Sequence, residues 1–175
     1  MVLYLLLAAL MVAADQLIKY WTVTVLQPIG SIPILQDVFH LTYVENTGAA
    51  FSMMEGRQGF FILVTLAAFG FMAYLYRTGM IKGVLGNLCV SFILGGAVGN
   101  FIDRLRLGYV IDLFDFCLID FPVFNFADIC ITIGGILFVW LAFLDYKAEV
   151  EAEKARKLAQ QQAAAQAVQE EQEQA

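Results

Sequence analysis

Residues 95–128 read GGAVGNFIDRLRLGYVIDLFDFCLIDFPVFNFAD. They crowd Asn100, Asp103, Arg104, Asp112, Asp115, Asn125 and Asp128 between two long apolar runs. Ionisable groups at such places are costly and tend to be kept for a task. Asp128 follows Phe124-Asn125-Phe126-Ala127 and precedes the apolar run 129–143, so it lies just inside the edge of that run. A lone carboxylate there takes up a proton or finds a partner, and the candidate partner is an acid from 103–120. Two carboxylates at one site hold a proton between them. Such a pair activates a water and protonates a leaving amine, as peptide-bond hydrolysis requires. The competing reading is that these acids only pair with Lys19, Arg104 and Arg106 or cap loops. That reading is preferred for Asp103, Asp115 and Asp120, and it stands level with the catalytic one for Asp112 and Asp128. Pattern alone does not choose Asp112 over Asp115.

Other chemistries find little material. No serine or cysteine is set beside a histidine base, and His40 is the single histidine, which excludes a multi-histidine metal centre. Cys89, Cys117 and Cys130 form no CxxC spacing and no paired framework; they read as small buried hydrophobes. No metal or cofactor is expected, and no basic patch suggests nucleic acid.

The elements that position these acids must be membrane helices. The chain has 175 residues, 61% of them hydrophobic and 15% charged, with mean hydropathy +0.74. A soluble domain is nearer ~45–50% apolar and ~25% charged. The length allows one bundle. The net charge of −6 owes part of its acid to the tail. Residues 1–26 have enough length to span ~30 Å of hydrocarbon and lack a basic leader, so they read as a retained helix rather than a signal peptide. Asp15 and Lys19, four apart on it, pair with each other or support the polar site.

Further helices are expected at 58–76, 83–102 and 122–144. Small residues at 83, 86, 95, 96, 97 and 99 of the third permit close packing. Between the first two helices, 37–44 is rich in β-branched and aromatic residues and reads as a strand; Asn46-Thr47-Gly48 marks a turn and 49–52 a partner strand. Residues 103–121 read as an amphipathic connection. The fold expected is a four-transmembrane-helix bundle with a small extracytoplasmic β-sheet. Residues 1–146 form one embedded domain, and 147–175 a polar cytoplasmic tail, frayed helix or disordered. Basic residues at 77, 82, 147, 154, 156 and 157 place both termini in the cytoplasm. The even helix count then puts the acids on the outer side. Asn100, Asp103 and Arg104 share one helical face there, and Asn125, Asp128 and Thr132 another.

Five blocks in order, DQLIK at 15–19, ENTGAAFS at 45–52, GNFIDR at 99–104, GYVIDLFDF at 108–116 and FNFAD at 124–128, carry a resemblance. The sequence resembles the bacterial lipoprotein signal peptidases (signal peptidase II), aspartyl proteases of the cytoplasmic (inner) membrane, over about residues 15–144. The resemblance implies Asp112 and Asp128 as catalytic residues. It implies Asn46, Asn100 and Arg104 as contacts to substrate or dyad, Asn125 as the residue orienting Asp128, and Asp15 and Lys19 in support. It also implies a diacylglyceryl-modified prolipoprotein as substrate, cut just before its lipidated cysteine. The partners expected are that substrate and membrane lipid, and the chain is expected to be a monomer. Leu113 and Phe126 depart from the family's commoner Phe and Leu, and both stay apolar. The other reading carried forward is a small proton-coupled transporter or channel using the same acids.

Overall fold

The computed structural model describes residues 2–48 and 57–173, with side chains as far as residue 162. Four of its helices are long and apolar enough to cross a membrane. The first, α1, is Val2–Trp21, and it continues as a π-helical turn, Thr22–Leu26. There the Gln27 N–H reaches back to the Thr22 carbonyl at 2.8 Å. Pro28 has no N–H to extend the ladder, and the chain turns through Gly30 at φ +88°.

A three-stranded antiparallel sheet follows, in the order β1 (Ser31–Leu35), β2 (Phe39–Asn46), β3 (Val110–Asp115). The expected strand at 37–44 is β2 displaced towards its C-terminal side, because Asp37 takes the left-handed turn before it (φ +58°). β1 was not expected, since Gly30 and Pro33 read as breakers; at the edge of a sheet a proline is tolerated. The strand expected at 49–52 lies outside the described residues. The connection at 103–121 is corrected: its middle is β3, paired with β2 from Asn46↔Val110 to His40↔Asp115. A single 3-10 turn, Cys117–Ile119, follows it.

Helix α2 is Gln58–Arg77, α3 is Gly83–Arg106 and α4 is Phe126–Glu173. α3 outruns its expected end at 102. α4 begins at Phe126 instead of 122, and it runs well past 144 because Ala, Gln, Glu and Lys keep the helix going. The chain clusters into two compact units, Met1–Leu137 and Phe138–Ala175. Within the second, Lys157 pairs with Glu153 one turn away at 2.6 Å, and both are exposed. The polar residues Asp15, Lys19, Asn100, Asp103, Asp112, Asn125 and Asp128 all belong to the first.

α3 is the spine of that unit, and its glycines set how closely others approach. A Cβ on Gly95 would lie 2.8 Å from Met11 Cβ, and one on Gly99 would lie 2.5 Å from Asp15 Oδ2. A Cβ on Gly96 would run into the Ala127 carbonyl. Ser91 Oγ also donates to the Tyr4 carbonyl at 2.9 Å. α1 and the start of α4 therefore rest on the backbone of α3. The opposite faces stay bare: Leu3, Leu10, Leu63 and Ile136 are all exposed, as lipid-facing residues are.

Gly99→Ala is expected to destabilise the protein by roughly 1–3 kcal/mol through overpacking, seen as a lower thermal midpoint in detergent. Gly70→Ala in α2, where an added Cβ meets nothing within 4 Å, should be neutral or stabilising by up to about 1 kcal/mol.

Candidate active site

α4 starts where it does because Asn125 caps it. Its Oδ1 accepts the Asp128 N–H (3.0 Å), and its own N–H donates to Asp128 Oδ2 (3.1 Å). This is a reciprocal capping box written with Asn and Asp. The Ala127 N–H, a further orphan of the first turn, donates to Asp15 Oδ1 at 3.0 Å.

The same Asn125 joins the two acids. Its Nδ2 donates to Asp112 Oδ1 at 2.7 Å and to Asn100 Oδ1 at 3.0 Å. Asn100 Nδ2 donates in turn to Asp128 Oδ1 at 2.8 Å. Asn46, at the end of β2, donates to Asp112 Oδ2 at 2.8 Å. Asp112 and Asp128, from β3 and α4, thus meet across two asparagine amides.

Lys19 Nζ anchors the layer beneath. It lies 3.0 Å from Asp15 Oδ2, 2.8 Å from Asp103 Oδ2 and 2.8 Å from Asn100 Oδ1. All four side chains are at most 5% exposed. Asp15 and Lys19 therefore both pair with each other and support the site. Asp103 makes the ion pair anticipated for it and also accepts the Ile111 N–H (3.2 Å), fastening β3 to α3. Among the described residues Asp115 makes no ion pair with a base; it accepts the Thr42 hydroxyl at 2.8 Å.

Sequence reasoning passed over Gln16. Its Nε2 donates to Asp15 Oδ2, the Gly99 carbonyl and Asp103 Oδ1, at 3.2, 3.2 and 3.0 Å. The one available signal was its place beside Asp15 in the DQLIK block.

Arg104 stands apart from the amide network. Its guanidinium lies 5.0 Å over the Phe61 ring, a cation–π contact, and its buried Nε has no hydrogen-bond partner among the described residues. It lines a cavity of about 630 Å³ with Asn46, Gly48, Phe124, Asp128 and Ile133. Asp112 is 1% exposed, so the cavity meets Asp128 directly and Asp112 only behind Asn46. Burial first, and the charge of Asp128 second, push the Asp112 carboxyl up to about 7; the amides of Asn46 and Asn125 and the Lys19 charge pull the other way and lose.

Fold and site together define an integral membrane enzyme of the aspartic peptidase class. The family model for signal peptidase (SPase) II matches residues 7–144, and the chain belongs to that family. It is 48% identical over 145 residues to a lipoprotein signal peptidase of Brevibacillus brevis, covering 82% of this chain and 97% of the relative. It is 43% identical over 146 residues to one of Clostridioides difficile, covering 83% and 98%. A bacterial membrane enzyme solved by the in meso method at 2.3 Å resolution superposes with a TM-score of 0.76 at 32% identity, covering 83% of this chain and 90% of that one.

Lys19→Met is expected to cost about 3–5 kcal/mol, because it strands two buried carboxylates; the readout is loss of monodisperse protein or a collapsed thermal midpoint. The Asp112 carboxyl predicts a pH slope. Between about pH 4 and 7 the folded protein holds a proton that the unfolded chain has lost, so stability falls as pH rises through that window and levels off above it. The slope is at most about 1.4 kcal/mol per unit. Midpoints measured across this range should show it in the wild type and a flatter profile in Asp112→Asn.

Proposed function

We propose that this chain is a membrane-embedded endopeptidase that removes signal peptides from diacylglyceryl-modified prolipoproteins, cutting just before the lipidated cysteine, with Asp112 and Asp128 as its catalytic pair. The observation that carries the reading is Asn125, whose one side chain holds Asp112 and caps the helix turn bearing Asp128, beside an apolar-walled cavity.

The chemistry follows from the two environments. Asp112, buried and with its carboxyl held up near 7, keeps the proton near neutral pH and acts as the acid for the leaving amine. Asp128, open to the cavity, takes the proton of the attacking water. Asn46 and Arg104 line the approach and contact the peptide. Asn46 must shift before Asp112 reaches the scissile bond, since it covers that carboxylate. Asn100, Asn125, Asp15 and Lys19 hold the pair in place. The acyl chains stay in lipid while the peptide lies along the sheet end of the bundle, where backbone hydrogen bonding suits an extended segment.

Residues 1–146 form the peptidase domain and 147–175 a tail without chemistry. The enzyme is read as a monomer, with Asp112 and Asp128 held by Asn46, Asn100 and Asn125 of their own chain. It sits in the bacterial inner membrane with both termini cytoplasmic and the aspartates outside; the basic residues of 77–82 and of the start of the tail support that orientation. The transporter or channel reading has no support. The polar network gathers at one end of the bundle, and the family is a peptidase family.

The test is cleavage of a lipidated precursor peptide and its unlipidated twin by purified enzyme. Wild type should cut only the lipidated peptide. Asp112→Asn and Asp128→Asn should each lose at least about 10³-fold in rate, the order that acid–base catalysis contributes, while remaining folded. Normal processing by either variant would overturn the assignment.

A further inference from the structure

The geometry points to a binding site for a thiophilic divalent cation, Zn²⁺ foremost, formed by His40, Asp115 and Cys117 on the sheet and sharing no residue with the aspartate network.

The three residues come from β2, β3 and the turn after β3. His40 and Asp115 are register partners across the β2–β3 ladder, and Cys117 opens the 3-10 turn just beyond. A ring nitrogen of His40, a carboxylate oxygen of Asp115 and the Cys117 sulfur all lie within 4.8 Å of one another. Ligands around a tetrahedral Zn²⁺ stand about 3.3–3.8 Å apart, given metal–ligand bonds of about 2.0–2.3 Å. Small side-chain rotations therefore close the set.

A second observation bears on the same spot. His40 Nε2 is buried and has no hydrogen-bond partner among the described residues. A buried ring nitrogen left without a partner calls for an explanation. Asp115 is already oriented, because Oδ2 accepts the Thr42 hydroxyl at 2.8 Å and Thr42 is within 2.9 Å of Ser31 Oγ. Such outer partners are what fix a ligating carboxylate. The Cys117 thiol makes a long contact, 3.8 Å, to the Asp115 carbonyl.

The donor set decides the cation. One thiolate, one imidazole and one carboxylate favour Zn²⁺ over the hard ions Mg²⁺ and Ca²⁺, which seek oxygen alone. Binding exchanges the thiol proton for the metal: the S–H bond breaks, a Zn–S bond forms and one proton is released. Three protein ligands leave the fourth position to solvent, as the half-buried setting of all three permits. The exclusion of a multi-histidine centre stands. A mixed set drawn from two strands and a turn leaves no spacing in the sequence. An ion here ties β2 to β3, and β3 carries Asp112 three residues before Asp115.

The test uses full-length protein in detergent, stripped with EDTA, with its thiols reduced, and titrated with CoCl₂ and then ZnCl₂. One equivalent of Co²⁺ should give visible ligand-field bands and a near-ultraviolet thiolate-to-cobalt charge-transfer band, both abolished by one equivalent of Zn²⁺. Cys117→Ser should lose the charge-transfer band, and His40→Ala should weaken Co²⁺ binding at least tenfold. A Cys89→Ala/Cys130→Ala variant should keep the full spectrum. Zn²⁺ should raise the thermal midpoint of the wild type and leave that of His40→Ala/Cys117→Ser unchanged. Absence of the charge-transfer band in the wild type, its persistence in Cys117→Ser, or an equal Zn²⁺ shift in the double variant would each overturn the proposal. Cleavage of the lipidated peptide by the His40 and Cys117 variants reports that they are folded, and it separates failure of this site from failure of the peptidase reading.

Discussion

A buried ammonium is the constraint on which the rest of the first unit depends. Lys19 sits out of water between Asp15 and Asp103, with the Asn100 oxygen as third partner. Removing such charges from water is expensive unless every one is matched with good geometry. The matching here fixes more than the ions. Asp15 also holds the Ala127 amide at the start of α4, and Asp103 holds the Ile111 amide of β3. Two helices supply the charges, and a third helix and a strand are pinned by them. The elements pinned are those that carry Asp128 and Asp112.

Close approach makes this possible. Gly99 leaves room for the Asp15 carboxylate against the α3 backbone, and Gly96 leaves room for the Ala127 carbonyl. With larger residues at these places the ions would stand farther apart, in a medium where Coulomb attraction is strong and misplacement correspondingly costly. The amide layer above then needs no charge of its own. Asn100 and Asn125 each have an oxygen and a nitrogen to spend, and between them they contact Lys19, each other and both aspartates. An uncharged relay of this kind orients two acids without neutralising them.

Much of this was legible in the residues. Helical runs announce themselves by length and apolarity, and the spacing of Asn100, Asp103 and Arg104, and of Asn125 and Asp128, put each set on one face. The choice of Asp112 over Asp115 was not legible from pattern, because both lie in one short apolar strand; it rests on the resemblance. In the fold Asp112 receives Asn46 and Asn125, whereas Asp115 faces Thr42. β1 was hidden because Pro33 reads as a breaker until its edge position is known. β3 was hidden inside a segment read as a connection, since its pairing partner lies far back in the chain. Gln16 escaped because a single amide has no period, and its three acceptors become neighbours only when α1 meets α3.

One feature of α4 reaches beyond architecture. Asp128 uses one oxygen to close the opening turn of its helix and offers the other to Asn100. In the proposed mechanism reagent and brace are the same side chain, tied at both oxygens. Its aim is geared to the integrity of that turn. If Asp128 is the reagent proposed, fraying of that turn would misdirect it before the rest of the fold gives way.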